Sequence, residues 1–219
     1  MRRLRPGLSR QLSDASMTPD AAYRWLMLAA TPEVDPFEVH AMASILALAA
    51  DDLSAGTGLD RRAFDDLSVH LFPGAAPILG AMADRHVPDP DVEEQAVRDL
   101  LLMYAAGGCL DRHYAVLIAR RCRWPHHLWQ DLGLASRAEL SRLMRSHFPR
   151  LVERNAADMK WKKFLYRLVC GVASVCPAPT CSDCDDFPTC FGDEDGESRL
   201  ARIRNGIAAN SAAFPEERP

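Results

Sequence analysis

The 219-residue chain is 48% hydrophobic, 26% charged and only 7% aromatic, a composition that excludes disordered and fibrous classes and allows a core that needs no disulfide staples. Twenty-six Lys and Arg against thirty Asp and Glu leave a formal charge of −4, which argues against nucleic acid as a partner of the whole surface. The longest nearly uncharged apolar run, residues 41–50, is about half of what spans a bilayer, so no membrane crossing is expected.

Residues 1–17 read as a solvated basic tail, with four arginines ahead of the first acid and no apolar stretch of the secretory kind behind them. Residues 18–175 read as a helical domain. Thr18-Pro19, Asp35-Pro36 and Asp89-Pro90 each offer a helix N-cap followed by proline in the first turn, and Asp35 with Glu38 forms a capping box in the broad sense. Gly107-Gly108 is expected to stop the helix that follows Asp89. Ser136 with Glu139 opens another helix, which Pro149 ends. Apolar residues recur at three- and four-residue spacing, as in Met42, Ile45, Leu46 and Ala49 or Val97, Leu101 and Tyr104, and no alternating strand is evident. The expectation is an all-α fold, a compact bundle of six to eight helices, followed by a C-terminal cysteine-rich metal-binding loop over residues 176–192 and an acidic, polar tail over 193–219.

Seven cysteines are present, and five of them, Cys170, Cys176, Cys181, Cys184 and Cys190, fall within 21 residues. The isolated Cys109 and Cys122 read as structural. Without a secretory signal the expected compartment is the reducing cytoplasm, where such crowding indicates metal ligation or redox chemistry before disulfides. Cys176-x4-Cys181-x2-Cys184-x5-Cys190 sits in a stretch with three prolines and little aliphatic content, which has no hydrophobic core of its own to order it. A structural zinc site commonly uses two knuckles separated by a longer spacer, whereas one CxxC in a wrapping loop favours an iron–sulfur cluster; both metals stay open on spacing alone. Two readings follow from the residues alone: an iron–sulfur electron carrier or redox enzyme, and a zinc-stabilised interaction module.

Just before the loop, Trp161, Phe164, Leu165 and Leu168 form an apolar stripe, while Lys160, Lys163 and Arg167 occupy another helix face that Cys170 continues. The basic face reads either as a solvated side or as an offset to an anionic cluster that also attracts an oxyanion such as molybdate. Cys170, His127, Lys160 and Lys163 are therefore auxiliary candidates. For His126, His127 and His147 a hydrogen-bonded packing role stands beside a role as metal ligand.

The segment MKWKKFLYRLVC, the four-cysteine spacing and Phe191-Gly192, together with His127-Leu128-Trp129-Gln130-Asp131-Leu132-Gly133-Leu134, Ser136-Arg137, Glu139-Leu140 and His147-Phe148-Pro149, resemble the NifQ family of nitrogen-fixation proteins. The likeness is clear over roughly residues 95–192. It implies a non-enzymatic metallochaperone that carries a molybdenum–iron–sulfur cluster (molybdenum, iron and sulfide). Cys176, Cys181, Cys184 and Cys190 match the family's cluster ligands. The same resemblance implies molybdenum donation to the scaffold NifEN, with the iron protein NifH taking part, during assembly of the iron–molybdenum cofactor of nitrogenase.

Overall fold

A computed structural model describes residues 17–83 and 87–169. Cys170, Cys176, Cys181, Cys184 and Cys190, and both predicted tails save Met17, lie outside the described residues. Among the described residues there are eleven helices and no strand: α1 (Pro19–Ala29), α2 (Pro36–Leu48), α3 (Leu53–Thr57), α4 (Arg61–His70), α5 (Ala76–Met82), α6 (Val92–Met103), α7 (Asp111–Cys122), α8 (Leu128–Asp131), α9 (Arg137–His147), α10 (Pro149–Arg154) and α11 (Trp161–Val169). The all-α expectation holds, and the number exceeds the six to eight expected. The excess consists of α3, α8 and α10, of four to six residues each. These are too short to show a hydrophobic period in the sequence.

Two helices form the centre. In α2 the apolar run that is too short for a bilayer is buried on all sides, from Ala41 through Ala47, as expected of a helix with no polar face. In α7 His113 through Ala119 are buried, and Tyr114, Leu117 and Ile118 are fully enclosed. Around this pair α1 packs on α2, α6 on α7, α3 and α8 on α7, and α11 on α6. The apolar stripe of α11 behaves as predicted: Trp161, Phe164 and Leu165 are buried, and the partly buried Leu168 packs against the same core.

Capping residues set most of the helix starts. Thr18 Oγ1 accepts from the Ala21 N–H and Asp35 Oδ1 from the Phe37 N–H, at 3.3 and 2.9 Å, each satisfying a donor that has no partner inside the helix. The start expected at Asp89-Pro90 lies two residues later. Asp91 Oδ1 takes the Glu94 N–H at 2.8 Å, while Arg120 Nη2 donates to the Pro88 carbonyl and Arg123 pairs with Asp91, fixing the chain ahead of the helix. Nor do the glycines end α6, which stops at Met103 with Tyr104 as C-cap. Instead the Gly107 and Gly108 N–H groups both donate to Asp111 Oδ2, at 2.7 and 2.9 Å, shaping the turn into α7. Pro149 does not merely end α9; it occupies the first turn of α10.

Gly133 closes the corner between α8 and α9. Its φ of +72° is one that L side chains rarely adopt, and a Cβ there meets the Ser44 carbonyl oxygen of α2 at 2.9 Å. Gly133→Ala is expected to cost about 1–3 kcal/mol from the backbone alone. Urea unfolding of the full chain measures it, and an unchanged midpoint contradicts this role.

Candidate functional site

The segment that carries the cysteines follows directly on α11, so the described part of the site is whatever holds that helix and surrounds its start. Lys162, in the first turn of α11, donates through Nζ to the carbonyls of Trp124 and His126 and to Asp131 Oδ2. Asp131 ends α8 and is fully buried. Its other oxygen, Oδ1, lies 3.1 Å from His126 Nδ1. One buried carboxylate therefore ties the α7–α8 loop to α11, and its charge is balanced by the lysine. Further along α11, Tyr166 is half-buried; burial first, and then the neighbouring Cys122, push its pKa up to about 12.

The auxiliary candidates divide. Lys163 is exposed and Lys160 half-buried, and neither takes the inward position that Lys162 holds. His127 is the N-cap of α8; its backbone N–H donates to Gln130 Oε1 at 3.3 Å. Of the cysteines that read as structural, Cys122 is buried, and burial pushes its thiol up to about 12. Cys109 is exposed instead, because it precedes α7 in the glycine turn rather than lying on a core face. No signal in the sequence singled out Lys162 or Asp131: Lys162 lies neither on the apolar stripe nor among the basic residues that stood out.

His147 has a packing role. Its Nδ1 meets Asp111 Oδ1 at 2.8 Å and its Nε2 meets Glu38 Oε2 at 3.0 Å, with the Tyr114 hydroxyl donating to the same Glu38 oxygen at 3.1 Å. Glu38 thus leaves the capping box expected with Asp35 and turns inward, and Glu139 similarly accepts from the Ala135 N–H rather than closing a box with Ser136. Burial by itself lowers the His147 pKa, but the hydrogen bonds and charges of Glu38 and Asp111 outweigh it, and the pKa lies above the ordinary histidine value. The stability this imidazolium contributes is fully present below the unfolded-state value near 6.5 and is lost as pH rises through the higher folded value. Each unit between the two values is about 1.4 kcal/mol. Unfolding midpoints are expected to fall as pH rises above about 6.5 in the native chain and to flatten in His147→Gln; a midpoint that rises with pH contradicts the assignment.

A second feature lies at the other end of α6, where a surface cavity of about 480 Å³ is lined by Leu102, Cys109, Arg112 and His113 among others. Among the described residues, no group of three or more His, Cys, Asp or Glu side chains is placed to hold a metal ion, and no helix is long and apolar enough to cross a membrane.

Fold and site define an all-helical scaffold that leads, through one anchored helix, into a cysteine-rich segment. The chain matches the NifQ family model over residues 39–192, a span that takes in all four cysteines of the C-x4-C-x2-C-x5-C run. It is 37% identical over 172 residues to a protein NifQ homolog of Sinorhizobium fredii (strain NBRC 101917 / NGR234), covering 74% of this chain and 75% of that one. With protein NifQ of Rhodobacter capsulatus it shares 36% over 167 residues, 69% of this chain and 88% of the other. With protein NifQ of Klebsiella pneumoniae it shares 51% over 69 residues, 30% and 41% of the two chains. The chain belongs to the NifQ family. No solved structure is significantly similar to it.

Proposed function

We propose that this chain is a nitrogen-fixation metallochaperone. Its cargo is molybdenum within a molybdenum–iron–sulfur cluster, which it donates for assembly of the iron–molybdenum cofactor; it is a carrier rather than an enzyme. The observation that carries the reading is the extent of the family match, residues 39–192, which ends beyond Cys190. Cys176, Cys181, Cys184 and Cys190 are the cluster ligands in this reading. Their chemistry suits the cargo, since soft thiolates bind iron and other thiophilic metals in sulfide surroundings. Four thiolates leave part of the molybdenum coordination to exchangeable groups, as a donor requires. Seven acids and no base over residues 182–197 disfavour added electrons on an anionic cluster and offer a charged surface to the acceptor.

The site of action is the cytoplasm, and the acceptor is NifEN, with NifH taking part. Mixing the molybdenum-loaded full chain with NifEN and NifH under anaerobic conditions is expected to move molybdenum onto NifEN. Molybdenum that stays bound to this chain contradicts donation. Reversible electron transfer by an all-iron form with no molybdenum uptake supports the electron-carrier alternative.

A further inference from the structure

Two features at the start of α7 have no part in the carrier reading, and they meet in one cavity. The first is Cys109, exposed on a turn that is pinned in place. The Gly107 and Gly108 N–H groups are both held by Asp111 Oδ2, and Asp111 is held in turn by His147. Cys109 lines the surface cavity of about 480 Å³, a volume within the range of about 300–1,000 Å³ that small-molecule sites occupy.

The second feature is His113, which lines the same cavity. It is 2% exposed, and apart from the nearby Cys109 backbone neither ring nitrogen has a hydrogen-bond partner among the described residues. A buried polar group left unpaired is costly, and native chains pair nearly all of them. Burial first, and then the Arg112 charge beside it, lower the His113 pKa, so at neutral pH the ring is uncharged and offers one donor and one acceptor. Val69, Leu102 and Ala105 add an apolar wall. A thiol, a neutral imidazole and an apolar wall in one concave site suit a small organic sulfur compound: the thiol is its covalent partner, the imidazole pairs with an amide or carboxyl group, and the wall covers its methylenes.

We propose that Cys109 is a thiolation site, and that the cavity binds the low-molecular-weight disulfide with which it exchanges. The Cys109 thiolate attacks one sulfur of the bound disulfide and the S–S bond breaks. The departing half leaves with the electron pair and takes up a proton, in balance with the one that Cys109 gave up. Cys109 is thereby oxidised to a mixed disulfide, the small disulfide is the oxidant, and one molecule of small thiol is released; excess thiol reverses the step. The proposal does not depend on the carrier reading. Cys122, buried and with its thiol pushed up to about 12, is the unreactive contrast within the same fold.

The test uses the full chain, reduced and desalted under anaerobic conditions, with oxidised glutathione as the probe. Initial rates are read peptide by peptide by mass spectrometry after acid quenching, which separates Cys109 from every other cysteine. Modification of Cys109 is expected to saturate with probe concentration and to be reversed by dithiothreitol, while Cys122 stays unmodified. Leu102→Trp, which narrows the cavity, and His113→Gln are each expected to slow Cys109 about 10-fold at low probe concentration, equivalent to about 1.4 kcal/mol of lost binding. Alkylation of Cys109 by iodoacetamide, a reagent too small to need the cavity, is expected to be nearly unchanged in both. Leu102 is 41% exposed, so that variant keeps the test open if His113→Gln does not fold. A Cys109 rate that rises linearly with probe concentration and matches that of the urea-unfolded chain, or that is not lowered in Leu102→Trp, overturns the proposal.

Discussion

Cys184→Ser protein is expected to emerge colourless from anaerobic loading with iron, sulfide and molybdate, with both metals lost on desalting, while its helical circular dichroism matches wild type. The reason is a division of labour within the chain. The described helices bury an extensive apolar core centred on α2 and α7, and fully burying each large aliphatic or aromatic side chain is worth about 1.5–3 kcal/mol. That core is expected to fold without metal. The cysteine segment has almost no aliphatic surface to bury, so in the proposed function its order comes from ligation. Serine offers a harder, far less acidic oxygen in place of a thiolate, and one missing corner ligand suffices to lose a cluster. Loss of the helical signal together with the metal would show instead that metal holds the whole fold.

Lys162→Met is expected to destabilise the chain by about 3–5 kcal/mol, because it leaves the buried Asp131 carboxylate without its compensating charge. For a chain of this size that is roughly a 6–20 °C fall in Tm. Lys163→Met, one residue on and exposed, is expected to stay within about 0.5 kcal/mol of wild type. The contrast separates a specific anchor from general loss of positive charge. Paired thermal melts of the two variants measure it, and equal effects would contradict the anchor. Since Lys162 fixes α11 to the loop of Trp124 and His126, the same substitution is expected to loosen the helix from which the cysteine segment continues.

Features carried by neighbouring residues were legible in the sequence. Thr18, Asp35 and Ser136 cap helices as expected because a cap is a contact across two or three residues. The α11 stripe and the cysteine spacing are equally local. What the sequence did not disclose depends on residues far apart in it. Glu38 abandons its expected capping box for His147, 109 residues away, where a buried ion pair outweighs one exposed helix-end hydrogen bond. Asp131 and Lys162 are 31 residues apart, and no pattern links them before the fold brings them together. His126 and His127 are indistinguishable as a dipeptide; the Asp131 carboxylate on one of them tells them apart. Cys109 read as structural from its isolation, and the glycine turn that exposes it is a feature of backbone geometry rather than of cysteine spacing.

Metal analysis of the anaerobically purified chain shows directly whether it carries molybdenum with iron and sulfide, as proposed. Iron and molybdenum present together, both absent from Cys184→Ser, is the predicted result. Stoichiometric zinc in a protein that takes up neither iron nor molybdenum would contradict it.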